Sequence, residues 1–326
     1  MIKKFAALLA AFVLLFVSVP AFVEGAIPTP APPETPVPAR IHEIPNPTPA
    51  PPVVIDRTAD PLVNPSFHFR LDADLLDIWF PNIMNADEAI LLYQGHAWLI
   101  DCGDQRSGAR GVELLQKLGV TGVEKLFNTH PHHDHLNGLY VTHQSVPVEE
   151  LLVCFDALST EHMTHALSYA ETESISVKEF SDRDVFSMGD GRVTLTFYVN
   201  TDPSLDMNNS SAQTLVQFGD RRILFTSDME KPGQANLLSR IPAENLRAEI
   251  MKYPHHGKSG LTDEFLAAVE PSLCIITNTA VDWEGMKYLA YKRVPYVVTN
   301  PGNTYLHLVT DGENWIAEYI PVKDLK

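Results

Sequence analysis

Four histidines and one aspartate fall within six consecutive residues of this chain. His130 and His132 alternate past His133, so both side chains can point to one side. Asp134 and His135 can reach a second position a few ångströms away. Imidazole nitrogens and carboxylate oxygens are ligands that suit Zn²⁺, Mn²⁺ or Fe. The residue types and their spacing therefore predict a metal centre.

The remaining sequence favours a catalytic metal centre over a structural one. Cys102, Cys154 and Cys274 lie away from the cluster and are expected to be small buried hydrophobic residues. A histidine and carboxylate set with spare ligands fits a centre that keeps a position open for water. A histidine-rich metal-storage tract is the main alternative, but such tracts lack the ordered apolar flanks found here.

A short strand that ends at Asn128 is expected to position the cluster, because a strand end fixes the following turn. Apolar alternation predicts further strands at 67–80, 89–93, 97–100, 193–199, 213–218, 221–226, 248–253, 273–277, 295–298, 304–309 and 314–320. Helical periodicity predicts helices at 108–119, 159–172, 231–240, 262–269 and 283–291. Early hairpins followed by strands mixed with helices predict two sheets with helices outside them.

The N-terminal part is typical of an exported protein. Residues 1–26 combine Lys3 and Lys4 with a short apolar run, and they predict a signal peptide cut after Ala21. An uncleaved N-terminal anchor is the alternative. Residues 27–65 hold 13 of the 25 prolines and predict an extended linker. One globular domain is then expected over 66–326, in a secreted or extracytoplasmic location, tethered only if the signal segment stays uncleaved.

The chain carries 24 basic and 41 acidic residues, a formal net charge of −17. Removing the first 65 residues leaves 20 basic and 36 acidic residues, so the acidity belongs to the predicted domain. Extended nucleic acid and anionic membranes need a positive field to bind. A small-molecule or phosphodiester substrate is therefore favoured as the partner. Contact with a membrane is expected only through an uncleaved signal segment.

The cluster resembles the His-x-His-x-Asp-His motif of the metallo-β-lactamase superfamily. Further stretches resemble that superfamily in the expected order, with Asp101 at the end of an early strand, residues 225–228 leading to Asp228, and the His-His-Gly turn at 253–259. The Asn-Asn-x-Ser stretch at 208–211 and residues 86–91 resemble its ComEC-like branch. Two departures are Ser227, where glycine is usual, and His132, where that branch often has aspartate. No long apolar segments follow, so DNA uptake is not carried over.

The resemblance implies an α/β fold, the αββα sandwich of two mixed sheets with helices on both outer faces. It also implies a site for two divalent ions, preferably Zn²⁺, with Mn²⁺ or Fe as alternatives. Asp228 would bridge the ions, and Asp101 would hold a ligand histidine through its other ring nitrogen. The implied ligands of the first ion are His130 and His132, with Asn209 near them; those of the second are Asp134, His135 and His255, with His256 as the alternative to His255.

The function implied by the resemblance is hydrolysis by a metal-bound hydroxide, in which Asp134 orients the nucleophile and His255 or His256 offsets charge on the attacked group. A phosphodiester bond is the preferred target, as for a nuclease or phosphodiesterase. The alternatives are an amide, ester or β-lactam bond, or a non-catalytic metal-dependent binding module. A serine hydrolase of the Gly-x-Ser-x-Gly type is excluded because that motif does not occur.

Overall fold

A computed structural model describes residues 74–200, 202–279 and 283–325. The predicted signal peptide at 1–26, the linker at 27–65 and the start of the predicted strand at 67–80 lie outside the described residues. Their assignment stays a prediction. No helix among the residues placed by the structure has both the length and the apolar character needed to cross a membrane.

The first sheet, within the described residues, has eight strands in the order β15-β14-β1-β2-β3-β4-β5-β6. Their bounds are β1 Leu76–Phe80, β2 Glu88–Tyr93, β3 His96–Cys102, β4 Val123–Phe127, β5 Val148–Val153, β6 Ser176–Glu179, β14 Thr304–Thr310 and β15 Trp315–Pro321. The strands from β15 to β3 pair antiparallel, and those from β3 to β6 pair parallel. The sheet is therefore mixed.

The second sheet, over the same described ranges, has seven strands in the order β13-β12-β11-β10-β9-β8-β7. Their bounds are β7 Val185–Met188, β8 Val193–Tyr198, β9 Gln213–Phe218, β10 Arg221–Phe225, β11 Ile250–Lys252, β12 Leu273–Ile276 and β13 Tyr296–Val298. The strands from β7 to β10 pair antiparallel, and those from β10 to β13 pair parallel. The second sheet is mixed in the same way.

The helices of the described chain are α1 Gln105–Lys117, α2 His133–Leu136, α3 Leu139–Ser145, α4 Glu161–Glu173, α5 Lys231–Arg240, α6 Ala243–Leu246, α7 Asp263–Val269 and α8 Glu284–Lys292. Apolar residues of α1, α3 and α4 pack on the outer face of the first sheet. Those of α5 to α8 pack on the outer face of the second sheet. A third cluster joins the two inner faces. The layers confirm the expected αββα sandwich.

Alternation along each strand produces these layers, because successive strand residues point to opposite faces. In β3, Trp98 and Ile100 enter the core between the sheets, whereas Leu99 packs under the helices. In β10, Ile223 enters the same core and Leu224 packs under the second set of helices. Both faces of these two strands are thus apolar, and the polar residues that could do chemistry lie beyond the strand ends.

Glu88, at the start of β2, is a buried carboxyl whose two oxygens have no hydrogen-bond partner among the described residues. A Cβ atom at Gly111 would contact this carboxyl group, so α1 needs glycine there to pack this close. Burial raises the pKa of Glu88 well above its ordinary value of 4.5. The protonated form is therefore favoured in the folded chain.

We expect the free energy of unfolding of the Glu88→Gln variant to fall less with rising pH than that of the wild type. The unfolded chain releases the Glu88 proton near pH 4.5, whereas the folded chain keeps it, so the free energy of unfolding falls as pH rises towards the folded pKa. Each unit of pKa difference corresponds to about 1.4 kcal/mol. Urea unfolding at pH 5 and pH 8 measures the effect. The exposed Glu171→Gln should keep the wild-type pH dependence; an equal dependence in Glu88→Gln would contradict the prediction.

Candidate metal centre

The candidate ligands lie on loops that leave the carboxyl ends of three strands. β4 ends at Phe127 and leads into the histidine cluster and α2, and β10 ends at Phe225 and leads to Asp228. β11 ends at Lys252 and leads into a short 3₁₀ turn at Pro254–Gly257. β10 and β11 pair in parallel, so their ends lie at the same edge of the second sheet. Both sheets thus deliver polar side chains to one place.

Asp134, His135, Asp228 and His256 form the first group that could hold a metal ion, with one ligand atom from each lying within 4.8 Å of the others. His135 Nε2 is 3.3 Å from Asp228 Oδ1, and His256 Nε2 is 3.5 Å from the same oxygen. His256 Nε2 is also 3.3 Å from Asp134 Oδ2. Two nitrogens and two carboxylate oxygens therefore converge on one point.

His130, His132 and Asp228 form the second group. His130 Nε2 lies 3.0 Å from His132 Nδ1 and 4.0 Å from Asp228 Oδ2. Asp228 thus turns Oδ1 towards the first group and Oδ2 towards the second. Its carboxylate lies between the two groups, which is the place that the resemblance gave to a bridging ligand.

The outer ring nitrogens of the inward-facing histidines are held by the protein. His135 Nδ1 is 2.7 Å from Asp101 Oδ2, and Asp101 also accepts hydrogen bonds from the backbone N–H and hydroxyl of Thr129. His256 Nδ1 is 3.0 Å from Asp87 Oδ1 and 3.0 Å from Thr277 Oγ1. Such outer contacts fix the ring orientation and direct Nε2 to the metal. Asp101 therefore lies where it was predicted.

The donor set fits divalent metal ions. His135 Nε2, His256 Nε2 and Asp228 Oδ1 are buried and have no hydrogen-bond partner among the described residues. Leaving such groups unpaired inside a protein is costly, so their convergence fits a site that could hold a cation. Nitrogen and carboxylate oxygen ligands suit Zn²⁺, Mn²⁺ or Fe rather than Ca²⁺ or Mg²⁺.

The electrostatics of the site favour positive charge beside Asp228. Burial raises the pKa of Asp228, but His256 and His135 outweigh burial and hold that pKa well below its ordinary value. Burial lowers the pKa of His256, but the carboxylates of Asp228 and Asp87 outweigh it and raise that pKa to about 10. An ionised Asp228 and a surplus of carboxylates are what a divalent cation would neutralise.

Lys252 and Asp87 are site residues that the sequence reasoning missed. Lys252 is buried, its ammonium contacts Asp87 and donates to the carbonyl of Ser227 at 2.9 Å, and it lies 4.0 Å from Asp228 Oδ1. It stabilises the ionised carboxylates around it. The sequence signal for Lys252 is its place at the end of the apolar strand β11, because a lysine in a buried strand usually has a charged partner.

The structure places His256, and not the preferred His255, in the first group. His255 and His256 both adopt left-handed backbone angles, with φ of 48° and 52°. The tight turn points His256 inward and leaves His255 at the mouth of the site, with its Nε2 3.7 Å from Asp228 Oδ2. His255 Nδ1 lies 2.9 Å from Glu230 Oε1, which also accepts a hydrogen bond from Ser259. The alternative left open in the sequence is the one that the geometry favours.

The side chain of Asn209 is hydrogen-bonded within the protein, and its expected place near the first ion stays a prediction. Its Oδ1 accepts hydrogen bonds from the backbone N–H groups of Glu230, at 3.1 Å, and Gly233, at 2.8 Å. Its Nδ2 donates to Asp206 Oδ1 at 2.8 Å. Both lone pairs of Oδ1 are used by the start of α5, so this oxygen could reach a metal only by giving up those bonds.

We expect Asn209→Ala to lower the free energy of unfolding by about 1–3 kcal/mol, because it leaves two backbone N–H groups without acceptors. The metal content should not change, since His130, His132 and Asp228 remain. Urea unfolding and elemental analysis measure the two quantities. The matched Asn245→Ala, at an exposed position, should change stability by less than about 0.5 kcal/mol. Loss of a metal ion from Asn209→Ala would restore Asn209 as a ligand.

Ser227, next to Asp228, also has a left-handed backbone, with φ of 47°. Glycine adopts this conformation without a steric cost, which accounts for glycine at this place in the superfamily motif. Here the Ser227 hydroxyl lies 2.7 Å from Thr129 Oγ1 and 3.2 Å from His130 Nδ1. These contacts offset the strain and tie the β4 loop to the β10 loop.

One curated protein is similar to this chain in sequence. ComE operon protein 3 of Bacillus subtilis strain 168 is 26% identical over 170 residues, which cover 51% of this chain and 21% of that protein. The match thus spans about a fifth of that relative's length. It confirms the resemblance to the ComEC-like branch of the metallo-β-lactamase superfamily. No profile of a known protein family matches the sequence.

Solved structures similar to the chain include the metallo-β-lactamase fold protein YhfI of Bacillus subtilis. It is 11% identical, with a TM-score of 0.46, and the match covers 69% of this chain and 95% of YhfI. A metallo-β-lactamase of Cronobacter sakazakii with a mutated HARLDQ motif is 16% identical, with a TM-score of 0.42. That match covers 66% of this chain and 90% of the lactamase.

Proposed function

We propose that this chain is an exported, metal-dependent hydrolase that cleaves phosphodiester bonds. The observation that carries the proposal is the convergence of His135 Nε2, His256 Nε2 and Asp228 Oδ1, all buried and without hydrogen-bond partners among the described residues. A buried donor set of this kind, held on the loops that follow β4, β10 and β11, supports a catalytic cation site.

Two divalent ions, preferably Zn²⁺, would be held there. His130, His132 and Asp228 would hold one ion, and Asp134, His135, His256 and Asp228 would hold the other. The chemistry that such ions supply when bound is Lewis acidity, which lowers the pKa of water towards neutrality and polarises a phosphoryl or carbonyl oxygen.

The chain's own residues orient the reactants. Asp134 is partly exposed at the site and can accept a hydrogen bond from the attacking water, which fixes the direction of attack. In hydrolysis the water oxygen forms a bond to phosphorus, the bond from phosphorus to the leaving alcohol breaks, and the leaving oxygen takes up a proton. His255, held by Glu230, faces the open side and can donate a hydrogen bond to the phosphoryl group as negative charge develops there.

The choice of a phosphodiester rests on the ComEC-like resemblance rather than on the metal ligands, which serve several kinds of hydrolysis. The excess of acidic residues favours small or locally bound substrates over long nucleic acid. An amide, ester or β-lactam bond remains the alternative target. A non-catalytic binding module is disfavoured because Asp134 and His255 reach solvent at the site.

Two chromogenic assays on the same protein separate the candidates. The zinc-loaded domain should release nitrophenol from bis(p-nitrophenyl) phosphate and leave a chromogenic cephalosporin intact. Asp134→Ala should abolish the phosphodiester activity, and the exposed Asp220→Ala should retain it. Turnover of the cephalosporin alone would favour the β-lactam alternative. Binding of metal without turnover of either compound would favour the binding module.

A further inference from the structure

A cleft of about 260 Å³ lies beside the metal centre. Its lining comes from the start of α1, from the histidine cluster and from the loop before β2. The residues that matter for its chemistry are Arg106, Arg110, His133, Asp104, Asn85 and Met84. We call it the basic cleft, after Arg106, Arg110 and His133. None of these three side chains belongs to the metal groups described above.

Two residues that line the basic cleft are connected to segments that carry metal ligands. His133 stands between His132 and Asp134, and its Nδ1 is 3.6 Å from Asp134 Oδ1. Asn85 Oδ1 accepts a hydrogen bond from Asn278 Nδ2, which also donates to the carbonyl of His256. A molecule seated on the metal centre would therefore lie directly beside the cleft.

The two arginines lie four residues apart on α1, so they project from the same face of the helix, one turn apart. Neither forms an ion pair within the ranges that the structure describes. Arg110 donates to the backbone carbonyl and the side-chain oxygen of Asn82, and the side chain of Arg106 makes no hydrogen bond to a described residue. Two exposed guanidinium groups without carboxylate partners are thus available to a ligand.

The acidic residue of the cleft, Asp104, does not neutralise these arginines. Its carboxylate caps α1 by accepting hydrogen bonds from the backbone N–H of Ser107 at 2.6 Å and from the Ser107 hydroxyl at 2.8 Å. The surrounding domain carries 36 acidic and 20 basic residues by the sequence. Paired charges are easy to form in such a domain, so two unpaired arginines beside the metal centre indicate a site for an anion.

We propose that the basic cleft binds a second phosphate group of the substrate while the scissile phosphodiester lies at the metal centre. The substrate class is then a short phosphodiester that carries a further phosphate on the neighbouring unit, such as a 5′-phosphorylated dinucleotide. Arginine suits this task because its planar guanidinium binds phosphate oxygens through two parallel hydrogen bonds. The inference rests on the proposed phosphodiesterase function.

The test compares two thymidine dinucleotides that differ only in a 5′-phosphate. Wild-type kcat/KM should be about 10- to 100-fold higher for the phosphorylated form, the effect of one or two charge-assisted hydrogen bonds. In the double variant Arg106→Gln/Arg110→Gln this ratio should fall to about one. The control Arg247→Gln, an exposed arginine paired with Glu270, should keep the wild-type ratio. An equal kcat/KM for both dinucleotides in the wild type would overturn the proposal.

A binding measurement keeps this test independent of turnover. Calorimetric titration with thymidine 3′,5′-bisphosphate should give an affinity about 10-fold or more weaker for the double arginine variant than for the wild type. Equal affinities of the wild type and the double variant would overturn the proposal that the basic cleft binds a phosphate group. If no dinucleotide and no bis(p-nitrophenyl) phosphate is hydrolysed, the proposed function fails, and the titration still decides whether the cleft binds a second phosphate.

Discussion

Replacing Asp228 by asparagine is expected to remove bound metal and to lower phosphodiester hydrolysis by at least about 1000-fold. The two oxygens of Asp228 face different ligand groups, Oδ1 towards His135 and His256 and Oδ2 towards His130. Asparagine keeps the shape but offers one neutral oxygen and a nitrogen that cannot bind a cation. One ion would lose its Asp228 ligand, the other would keep only a neutral oxygen, and the remaining negative charge would no longer balance the two ions.

The control for this variant is Asp220→Asn, on the exposed turn between β9 and β10. It makes the same chemical change outside the site and should keep the wild-type metal content and activity. Elemental analysis and the bis(p-nitrophenyl) phosphate assay report the two effects. Full metal content in Asp228→Asn would contradict the position of this carboxylate between the two ions.

The neighbouring histidines should have separable roles. His256→Ala is expected to weaken the binding of one ion by at least about 100-fold, because His256 Nε2 lies with Asp134, His135 and Asp228. His255→Ala should keep both ions but lower kcat by about 100-fold, as the loss of a hydrogen-bond donor to the developing charge would. Metal titration and steady-state kinetics measure the two outcomes on the same preparations.

An exposed histidine on α4 provides the matched control. His165→Ala removes an imidazole from the surface and should change neither quantity. Loss of metal from His255→Ala together with full metal content in His256→Ala would show that His255 is the metal ligand, as the sequence alone favoured. Unchanged kcat in His255→Ala would remove His255 from the catalytic step and leave the metal site as described.

The strongly periodic elements could be predicted from sequence. The helix expected at 231–240 is observed as Lys231–Arg240, and the strand expected at 213–218 as Gln213–Phe218. β6 and β7 were missed, because β6 is exposed along its whole length and β7 along half of it, and neither shows apolar alternation. β5 was missed because its apolar residues form a short continuous run rather than an alternating pattern.

The candidate site was predictable as far as its local motif. His130, His132, Asp134 and His135 lie in one short segment, and their chemistry is legible from spacing. The choice between His255 and His256 depends on the left-handed backbone angles of both residues. Two adjacent histidines in a sequence do not predict those angles, so the sequence cannot show which side chain points inward. Asn209 was assigned by resemblance, but its contacts with the start of α5 are set by the tertiary structure.

Lys252 and Asp87 are also site residues whose role could not be predicted from the sequence. They are 165 positions apart in the sequence. Asp87 lies just before β2 of the first sheet and Lys252 ends β11 of the second, so they meet only because the sheets pack face to face. The sequence around Lys252 does not show which carboxylate contacts it. Its role in the charge balance therefore becomes visible only with the three-dimensional contacts.

Elemental analysis of the purified chain tests the central claim most directly. The wild-type protein would be loaded with Zn²⁺, freed of loose metal by gel filtration and measured for metal and protein in the same fractions. The convergence of ligands around Asp228 predicts about two ions per chain. A ratio near zero after loading with Zn²⁺, Mn²⁺ and Fe in turn would contradict the metal centre and the hydrolytic function proposed for it.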